Sequence, residues 1–184
     1  MERLLFVSAL TCNGKQLQDF SVLVGNNLSG IDQDYPEASW WFRSKVVPGL
    51  FSAQRSFLIF MCRQKVAGVT ILKHSFDECK ICTVKINKDF LRNGFGNVLV
   101  QNSLSLLGFS PVSISVSEKQ VDRFRPILKR FNFELKYTKK SMYTKNTSEY
   151  FFETAGPSSG QSKYLLSKIV DCDLFCKYKS LASH

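Results

Sequence analysis

Lys80-Ile81-Cys82-Thr83-Val84-Lys85-Ile86-Asn87, followed three residues later by Leu91-Arg92-Asn93-Gly94-Phe95-Gly96, governs how the rest of the chain is read. The first piece alternates Ile81, Thr83 and Lys85 with Cys82, Val84 and Ile86, the period of a strand buried on at least one face. Behind the second, residues 97–107 carry apolar side chains at 98, 99, 100, 104, 106 and 107 and stop at Gly108, which predicts a helix with a glycine C-cap. A strand that passes through glycines into a helix leaves backbone N–H groups unpaired at the positive end of the helix dipole, where an anion binds. Without a Cβ, Gly94 and Gly96 let the main chain turn tightly and approach a ligand closely. The pattern predicts a pyrophosphate cradle.

Outward from this segment the elements alternate in type. Residues 2–10 read as a strand, and 11–34 as a polar, Asn- and Gly-rich loop with a weak helix at 15–23. Residues 36–50 read as a helix with Ser39 as its cap, Trp40, Trp41, Val46 and Val47 as bulk, and Pro48-Gly49 as its stop. Residues 56–63 and 65–73, two apolar runs joined by Arg63-Gln64, read as a hairpin. Beyond Gly108 come a short strand at 112–116, a basic helix at 118–131 bent or delayed by Pro126, and closing strands at 133–137 and 143–153. Gly156-Pro157-Ser158-Ser159-Gly160 reads as a linker. The organisation is therefore a domain over 1–155 and a tail over 156–184. In the tail, Tyr164, Leu165, Ile169, Cys172, Phe175 and Cys176 recur at helical spacing, an amphipathic helix at 163–179 whose apolar face packs on its own domain, on a second copy or on a partner chain.

With 184 residues, 44% of them hydrophobic and sixteen Phe, the chain can bury a sizeable core without staples, which excludes a disordered protein. The apolar run at 4–10 is too short to span a membrane, and Glu2 beside Arg3 makes a poor signal peptide, so a cytoplasmic protein with no membrane partner is expected. In that compartment the six cysteines are expected as buried thiols without disulfides. Cys79, Cys82, Cys172 and Cys176 have near-ligand spacings, but Cys79 and Cys82 sit at i and i+3 of a β-branched strand and face opposite sides, so no metal site is expected. Net charge is +10, and nine Lys or Arg between Lys119 and Lys145 face only Asp122 and Glu134. That excess either draws in polyanions such as nucleotide phosphates or RNA, or is a solvated surface.

This order of elements resembles the GNAT superfamily of acetyl-coenzyme-A-dependent N-acetyltransferases. Their signature, Arg/Gln-x-x-Gly-x-Gly/Ala after the fourth strand, is matched by Leu91-Arg92-Asn93-Gly94-Phe95-Gly96 in both glycines, with Leu91 in first position and Arg92 one residue late. Phe90 stands where the family commonly has Tyr, and Leu107-Gly108 ends the following helix as in the family. Phe131-Asn132-Phe133-Glu134 looks like the family's Leu-Gly-Phe-Glu, with Asn132 tolerating the positive φ of the glycine. The resemblance spans roughly 55–153 and takes in 39–50 loosely as an acceptor-side helix.

The resemblance implies an α/β (α+β) fold, a GNAT-like mixed and mostly antiparallel central sheet with splayed fourth and fifth strands and flanking helices. It implies acetyl-CoA as cosubstrate. Arg92, Asn93, Gly94, Phe95, Gly96 and Asn97 would take the pyrophosphate. Val84, Lys85 and Ile86 would pair with pantetheine as with an added strand, and the N–H of Val84 or Ile86 would polarise the thioester oxygen. The family's tyrosine general acid falls at Leu128. Candidates for the catalytic groups are Tyr143 and Tyr150 on the closing strands, Glu78 at the start of the fourth strand, and Ser117, with Ser115 and Glu118, at the end of the fifth; His74 reads as a loop residue. The implied activity is transfer of acetyl to an amine, and the basic stretch with Trp40-Trp41 points to a macromolecular acceptor such as aminoacyl-tRNA or a protein. The alternative is a catalytically silent module of the same fold that binds CoA, nucleic acid or a protein partner.

Overall fold

Two strands that are apolar on both faces, β2 (Arg55–Cys62) and β3 (Lys65–Ser75), form the centre of the molecule. Phe57, Ile59, Val69 and Ile71 face one core, while Leu58, Phe60, Ala67 and Leu72 face a second, so the sheet is covered on both sides. Arg63 and Gln64 join them with φ of 50° and 63°, the two left-handed residues of a tight hairpin turn. The computed structural model describes residues 2–108 and 111–154 and the backbone of 169–170.

Around this pair lie β1 (Glu2–Val7), β4 (Glu78–Ile86), β5 (Val112–Ser117), β6 (Phe133–Lys140), β7 (Ser148–Thr154) and the two-residue β8 (Ile169–Val170). They form one sheet in the order β6-β7-β5-β4-β3-β2-β1-β8. All neighbours are antiparallel except β4 with β5 and β1 with β8. The sheet is mixed and mostly antiparallel, as expected. One face carries α1 (Gly14–Asn27) and a continuous helical stretch, α2 (Ala38–Trp41), a π-turn at Phe42–Val46 and α3 (Val47–Phe51). The other carries α4 (Phe95–Leu107) and α5 (Val121–Arg130). No helix of the described residues is long and apolar enough to cross a membrane.

Several expectations are corrected. Residues 14–27 are a full helix rather than a loop with a weak helix. The Asn13 side chain accepts from the Gln16 N–H at 3.0 Å and the Gln16 side chain accepts from the Asn13 N–H at 2.8 Å, a reciprocal cap, while Leu17, Phe20 and Val24 bury one face. Ser39 caps nothing; its hydroxyl donates to the Asp32 carboxylate at 3.2 Å. The helix continues through Pro48-Gly49 to Phe51: the π-turn at Phe42–Val46 interrupts the regular ladder directly before Pro48, which sits in the first turn of α3. The last long strand begins at Ser148 rather than 143, since Ser141 and Asn146 have φ of 53° and 61° and turn the chain. Ile169 and Val170, expected within a helix, pair in parallel with Leu4 and Leu5; the rest of 156–184 lies outside the described residues. Cys62, Cys79 and Cys82 are free thiols, but Cys12 is disulfide-bonded, against the expectation of none.

Candidate active site

The site begins where two parallel strands part. β5 pairs with β4 only from Cys79↔Val112 to Ile81↔Ile114, although β4 runs on to Ile86 and β5 to Ser117. A bulge explains the divergence: Ile71 opposes Thr83 but Leu72 opposes Ile81, leaving Cys82 as an extra residue that bends β4. Main-chain groups alternate along a strand, and here the phase is fixed at two points. The Asn87 N–H donates to Ala67 at 2.9 Å, and the Lys85 carbonyl faces Gly68 so closely that a Cβ there would come within 2.8 Å. Lys85 and Asn87 therefore spend their main-chain groups on β3. Val84 and Ile86 turn theirs to the open edge beside β5. Lys85, expected along the same edge, lies between them with its main-chain groups on β3, and its Nζ donates to the Ser29 carbonyl at 3.3 Å.

The open edge leads into the glycine turn. Leu91 is extended, with φ −64° and ψ 152°, Arg92 is left-handed at φ 64°, and Gly94 is left-handed again at φ 77° and forms the N-cap of α4. Left-handed residues on either side of Asn93 make a concave nest of amides. Among the described residues, the N–H groups of Arg92, Asn93, Gly94, Phe95 and Gly96 have no hydrogen-bond partner, whereas those of Asn97 and Val98 are taken by the Gly94 carbonyl at 3.0 and 3.3 Å. Leu91 through Gly94 are exposed. Phe95 anchors the turn from below, its ring 4.6 Å from Phe60 and 6.2 Å from Phe90. A Cβ on Gly94 would meet nothing within 4 Å, so Gly94 serves the left-handed turn. Gly96 serves another purpose: its Cβ would lie 3.2 Å from Ile127, which makes it the contact that lets α4 pack on α5. That contact brings Lys129 and Arg130 beside Asn97, lining a shallow cavity next to the amides. The basic stretch of the sequence thus divides, with these two cations at the turn and Lys136, Lys139 and Lys140 on the exposed edge strand β6.

On the opposite face, the point of parting is surrounded by polar side chains. Ser113, Ser115 and Ser117 alternate on β5 with the core residues Ile114 and Val116. Glu149 of β7 is 3% exposed, and the Tyr35 hydroxyl donates to its Oε1 at 3.3 Å. Burial pushes the Glu149 carboxyl above the usual carboxylate range, against the opposing pull of Ser115, Tyr35 and Lys80. Tyr143 packs edge-on against Tyr35 with ring centres 5.5 Å apart. Burial, then the charge of Glu149 and the proximity of Cys82 and Glu78, push the Tyr143 phenol up, so it is held protonated; Tyr35 is raised by burial and Glu149 in the same way. The segment carrying Tyr35 is fastened over this chamber, because Gln120 Nε2 donates to Asp34 Oδ2 at 2.8 Å and Thr144 Oγ1 to the Asp34 carbonyl at 2.7 Å.

The expected catalytic residues fare unequally. Tyr143 is in the chamber, but from the loop at 141–147 rather than from a strand. Tyr150 stands on β7 opposite Val116 and alternates with Glu149, so it belongs to the other face. Glu78 lies at the closed end of the β4–β5 pair, with Lys73 at 2.8 Å and Lys80 at 4.0 Å; burial pushes its carboxyl up, but the two lysines and Ser113 outweigh that and hold it below the usual range. A carboxylate so held is a poor base. Ser117 is 3% exposed, and its Oγ is buried without a hydrogen-bond partner among the described residues. Glu118 closes the strand ends, its Oε2 accepting from the Ser148 N–H at 3.1 Å. His74 is not in a loop but on β3, its Nε2 3.2 Å from Ser56 Oγ. Leu128 is buried among apolar side chains and offers no proton. Tyr35 and Glu149, which meet in this cluster, were missed by sequence reasoning.

The sequence matches no family model and no curated protein. Comparison of structures does find relatives in shape. A protein from Desulfovibrio desulfuricans described as an acetyltransferase of the GNAT family superposes with a TM-score of 0.64 at 13% identity, over 83% of this chain and 98% of that one. The ribosomal-protein-S18-alanine N-acetyltransferase of Escherichia coli gives 0.61 at 13% identity, over 90% and 100%. The PaiA N-acetyltransferase of Thermoplasma acidophilum, solved with coenzyme A, gives 0.58 at 12% identity, over 84% and 98%. The chain has the GNAT fold.

Proposed function

We propose that the protein is an acetyl-CoA-dependent N-acetyltransferase. The observation that carries the reading is the continuity of the open edge at Val84 and Ile86 with five unpaired amides at the start of α4. An extended pantetheine arm bears amide groups that suit the first, and a pyrophosphate suits the second, since helix N-termini and amide nests favour anions. Lys129 and Arg130 beside Asn97 add positive charge where a phosphate-rich ligand would lie. Neither feature depends on the arginine or glutamine that Leu91 replaces.

Acetyl-CoA supplies an acetyl thioester whose carbonyl carbon is open to attack by an amine. The N–H of Val84 or Ile86 would donate to the carbonyl oxygen as negative charge gathers there. The Glu149 carboxylate would take the proton that the amine gives up. Its raised affinity for a proton suits that task, and Tyr35 holds it in place. Tyr143, kept protonated, would return a proton from its Oη to the departing thiolate. The charge on β6, with Tyr137 and Phe151 stacked at 4.4 Å and Lys139 against both, supports a large acceptor such as aminoacyl-tRNA or a protein tail.

Purified protein incubated with labelled acetyl-CoA and, separately, charged tRNA, peptides and polyamines is expected to label an amine in the first or second. Labelling confined to polyamines would overturn the macromolecular acceptor. The core position of Leu128 favours a second reading, a binding module without turnover; coenzyme A binding with no label in any acceptor is the result that establishes it.

A further inference from the structure

Arg55 is placed for a task that packing does not explain. It opens β2 on the same face as the chamber, its stem laid on Gly49 so closely that a Cβ there would come within 2.8 Å of Arg55 Cδ. Its guanidinium carbon lies 5.7 Å from the centre of the Trp41 ring, and its Nη1 donates to Cys82 Sγ at 3.2 Å. Cys82 is the bulge residue where β4 leaves β5. The guanidinium is thus held rigidly at the point of parting. A guanidinium presents five donors in a planar fork that matches a carboxylate or phosphate. Among the described residues Arg55 has no acidic partner within ion-pair distance, and its one side-chain acceptor is a neutral thiol that burial keeps protonated, its pKa pushed up despite the nearby cation. Other positive groups surround it. Its charge opposes that of Lys73, and Lys80 acts with it on Cys82, while Glu78 is already engaged by Lys73 and Lys80. Such an excess of positive charge beside an amine-accepting chamber would repel a simple polyamine.

We infer that Arg55 binds an oxyanion carried by the acceptor itself, so that the preferred substrate is a protein tail whose first residue bears a carboxylate or phosphate on its side chain, within a few atoms of the reacting nitrogen. This rests on the transferase reading. Trp41 and Gly49 fix the guanidinium plane, and the acceptor's anion would supply the missing partner, orienting the amine toward the Glu149 side of the chamber. Arg55 is a specificity-determining residue, and no proton transfer is assigned to it.

Matched peptide acceptors test the inference with acetyl-CoA as donor: one beginning with aspartate against the same peptide beginning with asparagine, and one beginning with phosphoserine against the same peptide beginning with serine. The native protein is expected to prefer the anionic member of at least one pair, and which pair responds tells carboxylate from phosphate. Arg55→Gln should erase that preference by about 10- to 100-fold, chiefly through KM for the acceptor, the scale of a hydrogen bond to a charged group. Arg55→Lys, which keeps the charge but not the fork, should restore part of it. The neutral acceptors and coenzyme A binding should be unchanged in both variants, which shows that the site is still folded. Equal rates for the two members of both pairs in the native protein, or equal losses on both in Arg55→Gln, would overturn the role of Arg55 and leave the transferase standing. Absence of coenzyme A binding in the native protein would overturn the transferase itself.

Discussion

Gly94→Pro is expected to weaken coenzyme A binding by about 10²- to 10⁴-fold, the loss of roughly two hydrogen bonds to a charged group. Gly94 has φ 77°, which a proline ring locked near −65° cannot adopt, and proline also removes one of the five unpaired amides. Its neighbours would rotate with it, so the concave arrangement of Arg92 to Phe95 would be lost. The turn is exposed and no atom lies within 4 Å of the Cβ position, hence the cores beneath it should survive. Gly94→Ala provides the contrast. Its added methyl meets open space and leaves the N–H in place, so its only cost is the left-handed backbone, about 1–2 kcal/mol. Calorimetric titration with coenzyme A beside thermal unfolding separates the two effects. Native-like affinity in a folded Gly94→Pro variant would show that the turn does not hold the pyrophosphate.

Glu149→Gln should lower kcat by about 10²- to 10⁴-fold, the usual contribution of a positioned base, with KM for acetyl-CoA nearly unchanged. The same substitution is expected to make the protein more stable at neutral pH. Burial raises the folded-state pKa of Glu149 above its unfolded value, so the folded chain holds the proton more tightly. Its favourable contribution is complete below the unfolded pKa and is lost as pH rises through the folded one. A glutamine keeps an acceptor for Tyr35 without the charge. Urea midpoints of the native chain should therefore fall relative to those of Glu149→Gln as pH rises through that window. A variant that keeps its turnover would remove Glu149 from the proton path, whatever its stability.

Much of the fold was legible because local patterns agreed with it. β2, β3 and β4 are written in long apolar or alternating runs, and Gly108 does stop α4, with φ 75°. Asn132 has φ 54°, as an asparagine in a glycine's place predicts. α1 was hidden by its composition, since Asn26, Asn27, Gly14 and Gly25 outweigh Leu17, Phe20 and Val24 in a composition-based reading. The visible clue was Asn13-x-x-Gln16, a capping pair three residues apart. Of the site, the backbone part could be read locally because it follows from one strand–glycine–helix passage. The side-chain part could not. Glu149 lies in an alternating strand, where a glutamate ordinarily marks the solvent face, and the Tyr35 that bonds to it stands 114 residues earlier in the chain. Arg55 likewise looks like a strand's polar first residue until Trp41 and Cys82 are seen around it. Gly96 carries a second constraint that the sequence did not show: besides leaving its N–H free, it makes room for Ile127.

Amide-resolved nuclear magnetic resonance during titration with coenzyme A measures directly whether the main chain at the start of α4 binds the cofactor. Saturable shifts at Arg92, Asn93, Gly94, Phe95 and Gly96, joined by Val84 and Ile86 on the open edge but not by Lys85, are the predicted result. Resonances at these positions that stay still while others move, or that stay still at every concentration, would contradict it.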